Sequence, residues 1–240
     1  MRLSERVAVV TGAAGGLGVA ICDVFDREGA KVVPVDIQGD GLRFDIGTDA
    51  GNKGMVEAAL DRHGRIDALI LNAGAQCVAP IPEFPESEWD RLFDVMAKGP
   101  WLAIKHAWPH IAKPGGRVVV TASGSSFIAE PYKCAYVAAK HAVLGLVKVA
   151  ALEGGPLGMT ANAVGPGWMR TPMVENQLAE QMRLRGRSRQ EIIESMVDRH
   201  PVKRFVEPEE VANTIAFLAS DEASGINGSF IPIDLGTLAC

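Results

Sequence analysis

Tyr136 and Lys140 stand four residues apart in a stretch of helix-forming residues, so they share one face, one turn apart. A phenol beside an ammonium is an acid–base device if the phenol's pKa falls from its usual value of about 10. The Lys140 charge favours the phenolate, which can then take the proton of an alcohol. Ser123 ends a β-branched run thirteen residues before Tyr136, where its hydroxyl can hold a substrate oxygen while charge develops on it. On its own, a Tyr and a Lys at this spacing is ordinary helix-surface packing. What gives the trio chemical meaning is a partner to which the alcohol carbon can lose a hydride.

A site for such a partner is written near the N-terminus. Thr11-Gly12-Ala13-Ala14-Gly15-Gly16-Leu17-Gly18 follows a predicted strand over residues 6–10 and opens a predicted helix over 16–28. Gly12, Gly16 and Gly18 permit a tight turn, close approach of backbone to a pyrophosphate, and close helix–strand packing. The helix that follows aims its first N–H groups at the phosphates. Asp36 closes the next predicted strand, eighteen residues past Gly18, where a carboxylate can accept hydrogen bonds from ribose hydroxyls. It would repel a 2′-phosphate, and residues 13–17 hold no Arg or Lys to attract one. The cofactor expected is NAD rather than NADP.

The elements that must position these residues alternate short apolar runs with longer amphipathic stretches, the pattern of a doubly wound parallel sheet. Predicted strands cover residues 6–10, 31–35, 67–71, 117–121, 159–164 and 229–233, and predicted helices 16–28, 52–63, 87–111, 133–153 and 208–219. A helical pair is expected within 173–199. Eight residues separate Asp36 from Asp45, fewer than a parallel crossover with its helix normally takes, so a turn is expected there instead. The fold class is α/β: a Rossmann-type sheet of about seven strands with helices on both faces, as a single domain over residues 1–240, with a small helical lid at about 170–204.

Of 240 residues, 48% are hydrophobic and 22% charged, ordinary proportions for a globular chain with a sizeable core. A net charge of −5 argues against nucleic acid, which needs a concentrated basic face. Arg183, Arg185, Arg187 and Arg189 are interrupted by Gly186 and followed by Glu191 and Glu194, a solvated helical pattern. No run of about 20 apolar residues suggests a membrane span, and Met1 to Arg6 lacks the hydrophobic region of a signal peptide. Cys22, Cys77, Cys134 and Cys240 are scattered without a CxxC pair, so no metal site or disulfide framework is expected and a cytoplasmic location is the default.

The spacing Thr-Gly-x-x-x-Gly-x-Gly resembles the short-chain dehydrogenase/reductase family. Asn72-Ala73-Gly74 resembles that family's second signature, and Tyr136-x-x-x-Lys140 its third. Pro166-Gly167, Met169 and Thr171 are similar to the segment that contacts the nicotinamide amide, Asp45-Ile46 to the pair flanking the adenine, and Gly15 and Leu17 complete the resembling turn. The match runs in order from about residue 5 to 237. It implies an NAD-dependent oxidoreductase that interconverts a secondary alcohol and a ketone through Ser123, Tyr136 and Lys140, and a homotetramer formed through the helices at 87–111 and 133–153.

Within the family, residues 136–153, 166–177 and 205–210 are most similar to the D-3-hydroxybutyrate dehydrogenases. Four pocket positions carry over by that resemblance: Gln76, Lys133, Trp168 and Gln177. Two amides and an ammonium suit a small carboxylate, so the expected substrate is a small 3-hydroxy acid; another secondary alcohol, a sugar or cyclic diol, is the alternative. Ser125 stands where that branch has His, and Thr237 where it has Trp. Met96 stands where the family usually has the Asn that positions a proton-relay water. With Met there, Lys98 or a nearby carbonyl could hold that water, or the chain could bind NAD with weak catalysis.

Overall fold

Apolar runs without polar alternation have to be covered on both faces, and in the computed structural model they are. Residues 1–111 and 113–239 are described; Cys240 lies outside them. Among the described residues seven parallel strands form one sheet in the order β3-β2-β1-β4-β5-β6-β7. They are β1 (Val7–Thr11), β2 (Lys31–Asp36), β3 (Leu42–Arg43), β4 (Ala68–Leu71), β5 (Arg117–Thr121), β6 (Thr160–Pro166) and β7 (Phe230–Ile233). Every residue of β1, β4 and β6 is buried.

On one face lie α1 (Gly16–Arg27) and α9 (Pro208–Leu218), whose Ile21, Phe25, Val211 and Ile215 meet Val10, Ile70 and Val119 of the sheet. On the other lie α2 (Asp49–His63), α4 (Gly99–Ala107) and α5 (Cys134–Gly154), which bring Met55, Ile104 and Val143 against Val9, Leu69 and Val120. Helix α3 (Glu86–Phe93) runs into α4 through a π-helical turn, Asp94–Lys98. The predicted helix over 87–111 is thus a composite of three segments that ends at Ala107. The segment Cys134–Leu157 has a mean hydropathy of 1.5 and the length to cross a membrane. Its Ala135, Ala139, Val143 and Val147 are buried, as in a core helix.

Helix α2 begins three residues before the predicted start, because the Thr48 hydroxyl accepts from Gly51 N–H and caps it. After β2 the chain turns without a helix, as the short spacing predicts. A two-residue strand too brief to be read from sequence, β3, then pairs with Val35 and Asp36. Past β6 come three short helices where a pair was expected: α6 (Pro172–Glu175), α7 (Leu178–Arg185) and α8 (Arg189–Asp198). Ser188 and Glu191 form a capping box at the last. Val174, Leu178, Ile192 and Met196 join them into a small cluster against Trp168 and Phe205. The strand order reverses between β1 and β4, and a crevice opens beyond the carboxyl ends of such strands.

Candidate active site

At the carboxyl end of β1 the glycine turn is tight because side chains cannot fit in it. Gly12 sits at φ +68°, and a Cβ there would come within 2.7 Å of Ala73 Cα. A Cβ on Gly18 would lie 1.9 Å from the Gly12 carbonyl oxygen. Gly15 is the N-cap of α1 and supplies no side-chain cap, and the first turn carries no acidic residue. The leading N–H groups therefore remain for an anion. Leu17 is buried under the turn, while Gly16 meets Thr171, at the start of α6, 3.2 Å from where its Cβ would stand. Asp36 turns its carboxylate onto this loop: Oδ2 accepts from Ala14 N–H at 3.0 Å and Oδ1 from Gln38 N–H at 3.1 Å. A dinucleotide fits this cradle, which any Cβ would fill.

Asn72 ties three strand ends together. Its Nδ2 donates to the Thr11 carbonyl at 3.1 Å, its Oδ1 accepts from Thr121 Oγ1 at 3.2 Å, and its N–H donates to Thr11 Oγ1 at 3.0 Å. Ala73 N–H shares Thr11 Oγ1, and Gly74 is exposed. Asp45 Oδ1 accepts from Gly47 N–H, and the neighbouring Ile46 is buried with its carbonyl held by Asn52 Nδ2 at 2.6 Å. Pro166 ends β6. Gly167 N–H donates to Ile233, and Met169 bridges to Val206. A Cβ on Gly167 would meet His200 Nε2 at 2.6 Å. That nitrogen accepts from Trp168 N–H at 3.0 Å, and Nδ1 lies 2.6 Å from the Arg204 carbonyl. His200 thus fixes the backbone that presents Trp168, with one ring nitrogen as acceptor and the other as donor. Nothing in its sequence context marks it.

Ser123, Tyr136 and Lys140 come together. The first follows β5 and the other two ride on α5, one turn apart. The Ser123 hydroxyl hydrogen-bonds the Tyr136 phenol, and Lys140 Nζ lies 5.7 Å from the Tyr136 ring centre and donates to the Thr121 carbonyl at 2.6 Å. The electrostatics depart from the sequence reading. Burial pushes the Tyr136 phenol up to about 12, against the bond from Ser123 and with the Glu130 charge adding to the rise. Burial also pushes Lys140 down to about 8. In the protein alone, desolvation outweighs the pairing expected to lower the phenol.

The pocket residues divide. Lys133 is buried with its ammonium 4.1 Å from the Trp168 ring centre, but it is not free: Glu130 Oε2 stands 3.0 Å away. The other oxygen of Glu130 accepts from Arg199 Nη1 at 3.0 Å. Gln177 spends its amide within its own segment, on Met173 and Gln181, and Gln76 Oε1 accepts from Cys77 N–H. Neither makes a hydrogen bond to Lys133. Ser125 is buried, its N–H on Ser123 Oγ, and Thr237 Oγ1 donates to the Asp234 carbonyl. Met96 is fully buried against Leu92, Ala135, Ala139 and Tyr136. Lys98 pairs instead with Asp94 on the surface at 3.0 Å, so it is no substitute anchor for water. Glu130 and Arg199 were absent from the sequence reading. The i,i+3 spacing of Glu130 and Lys133 was a legible signal, whereas Arg199 lies 69 residues beyond Glu130 along the chain.

A glycine cradle on the first βα turn of a parallel sheet, with a Ser–Tyr–Lys row beside it, defines an oxidoreductase of the Rossmann type. The family profile described as enoyl-(acyl carrier protein) reductase matches residues 12–237. The chain is 35% identical to a D-beta-hydroxybutyrate dehydrogenase of Rhizobium meliloti, over 98% of this chain and 99% of that one. It is 33% identical to a levodione reductase of Leifsonia aquatica, over 99% and 96%. The structure of a Thermoplasma acidophilum aldohexose dehydrogenase superposes with a TM-score of 0.91 at 32% identity, covering 99% of this chain and 95% of that one. The chain belongs to the short-chain dehydrogenase/reductase family. It is an oxidoreductase acting on secondary alcohols, of a family and fold that bind nicotinamide cofactors.

Proposed function

We propose that the protein is an NAD-dependent dehydrogenase that interconverts a small 3-hydroxy acid and its keto acid. The single observation that carries the chemistry is the row Ser123–Tyr136–Lys140, closed on the Thr121 carbonyl and set beside the glycine cradle. When bound, the oxidised nicotinamide supplies a hydride acceptor and a positive charge. Ser123 holds the substrate oxygen, Tyr136 takes the hydroxyl proton at its phenol oxygen, and Lys140 supplies the neighbouring cation. A phenol at about 12 ionises more readily with each positive charge brought near it. Asp36 supports NAD over NADP: its carboxylate lies on the glycine turn, where a 2′-phosphate would meet like charge.

Support for an acid comes from the pocket, where Lys133 and Arg199 face a single carboxylate, Glu130. The Rhizobium relative's name points the same way. A neutral polyhydroxy alcohol is the second reading, favoured by the pairing of Lys133 with Glu130. Reduction of NAD is followed at fixed pH with 3-hydroxybutyrate, other 3-hydroxy acids, sugars and diols. Turnover of the acids with a kcat/KM at least about tenfold above the neutral alcohols is expected, since one charge-assisted contact contributes that much. Sugars or diols turning over faster than every acid would displace the reading.

A further inference from the structure

The turn before α5 is held in an unusual conformation. Tyr132 lies at φ +70°, the left-handed region that a bulky side chain rarely adopts. Its carbonyl accepts from Ala79 N–H at 3.0 Å, and the Arg185 guanidinium stands 5.8 Å from its ring centre. This turn places Glu130 and Lys133 side by side, their side chains 9% and 4% exposed. Arg199, just past α8, completes the cluster from across the pocket. Arg185 Nε is fixed on Gln181 Oε1 at 2.6 Å, and Gln181 in turn on Gln177. Glu130, Trp168, Gln181, Arg185, Ser195 and Arg199 line one small cavity.

The charges facing one another here are Lys133, Arg185 and Arg199 against Glu130 alone. Both oxygens of Glu130 are used, one on each of two cations, so among the described residues three cations here share one carboxylate. Of these cations only Lys133 is buried, and Glu130 pairs with it; Arg185 is half-buried and Arg199 reaches solvent, so both stay charged at the pocket edge. We propose that Glu130 is a specificity-determining residue, dividing its charge between Lys133 and Arg199 so that one substrate carboxylate binds between these two cations. This deepens the hydroxy-acid reading and rests on it. Burial pushes the Lys133 ammonium down and Glu130 opposes that shift while the pocket is empty; set against its two ion-pair partners, Lys133 and Arg199, Glu130 leaves one positive charge for a monoanion.

The test uses two variants with opposite expected signs. At neutral pH, Glu130→Gln removes the anion and should lower KM for 3-hydroxybutyrate about fivefold; Arg199→Gln removes a cation and should raise it about fivefold. The methyl ester of the same acid reports everything except the carboxylate, and its KM should stay within about twofold in both variants. The kcat should move little in Arg199→Gln; in Glu130→Gln, which also removes a charge acting on the Tyr136 phenol, any change in kcat should be the same for acid and ester. Arg199 is 41% exposed, so Arg199→Gln is the safer fold if Glu130→Gln proves unstable. Equal shifts for acid and ester in either variant, or shifts of the same sign in both, would overturn the proposal. If the wild type oxidises no hydroxy acid, that reading fails by itself. The anion site is then measured with butyrate as competitive inhibitor of whichever alcohol is oxidised. The same opposite shifts in its inhibition constant would support the site, and unchanged constants would overturn it.

Discussion

The two halves of the crevice are built from different materials. The cofactor half is backbone: glycines that exclude any Cβ, a helix N-terminus without a cap, and Asn72 lashing three strand ends together. The substrate half is side chain against side chain: Lys133 on Glu130, Glu130 on Arg199, Arg185 on Gln181, Trp168 over Lys133. Backbone geometry leaves a sharp imprint on sequence, because each requirement can be met by one residue type. An ion-paired pocket leaves a diffuse one, because charge can be supplied from several positions on mobile side chains. Between the two lies the row of Ser123, Tyr136 and Lys140, whose positions come from β5 and α5 but whose titration is set by burial.

That division is broken most directly at Tyr136. Replacing it with Phe removes the proton acceptor and leaves the cradle whole. We expect turnover to fall by about 10²–10⁴-fold while NADH affinity, read by fluorescence titration, is retained. A fully active Tyr136→Phe enzyme would show that another group takes the proton. In the substrate half, Lys133→Ala removes the buried cation and leaves Glu130 with Arg199. KM for a 3-hydroxy acid should rise by about 10–100-fold, the equivalent of a charge-assisted hydrogen bond of roughly 1.5–3 kcal/mol. KM for the ester should change far less, and an equal rise for both would remove Lys133 from carboxylate recognition.

In the cofactor half, Asp36 should give at least about a tenfold preference for NAD in kcat/KM, equivalent to about 1.4 kcal/mol. Asp36→Ala should bring the two cofactors close together. Equal use of both by the wild type would refute the reading of Asp36.

Lys140 tests the middle ground through stability. Its folded value of about 8 lies below its ordinary 10.5, because burial disfavours the charged form. Below pH 8 both folded and unfolded chains carry the proton, and the full penalty of the buried charge is present, at most about 3 kcal/mol. Between pH 8 and 10.5 the unfolded chain binds more protons than the folded one, so stability rises with pH and the penalty fades. Lys140→Met should therefore lose activity yet raise Tm at pH 7, by a margin that shrinks above pH 8. The lost bond to the Thr121 carbonyl offsets about 1 kcal/mol of the gain. A margin constant with pH would mean that burial does not set the titration of Lys140.

What the sequence disclosed follows the same line. The sheet was readable because β1, β4 and β6 are buried on both faces, and such runs have no polar alternation to obscure them. The missing crossover helix was readable from spacing alone. The two-residue β3 was not, since it has no periodicity to detect. The π-helical turn at Asp94–Lys98 was hidden because its residues are ordinary helix formers and a single turn with one extra residue carries no residue-type signature. In the site, Gly12, Gly18 and Asn72 were legible because their conformations and bonds admit few substitutes. Arg199 and His200 were not, because Glu130 and Trp168, the partners they meet at the pocket, lie far along the chain, and of the Glu130 contacts only the i,i+3 pair with Lys133 is local. The phenol's upward displacement was missed for a related reason. Spacing shows that Lys140 is near Tyr136, but the degree of burial that decides between pairing and desolvation is a property of the fold.

The smallest effect expected is at Met96, and it bears on how a proton leaves the site. The side chain is 1% exposed and packs on Tyr136, Ala135 and Ala139. It lies within the π turn, and Pro100, four residues on, has no N–H to offer the Met96 carbonyl as an α-helix would. The Met96 carbonyl is thus denied its α-helical donor, and the Met side chain supplies no amide to anchor a relay water. Met96→Asn adds an amide in an apolar cluster, which costs about 1–3 kcal/mol where no partner meets it. Tm should fall by a few degrees accordingly. Turnover should be unchanged or modestly raised, most visibly below pH 8, where proton delivery matters more. The measurement is kcat against pH for both forms, with Tm recorded alongside. A loss of turnover beyond the loss of stability would show that the methionine itself shapes the pocket around Tyr136. An increase of a hundredfold would show that proton return limits the natural enzyme.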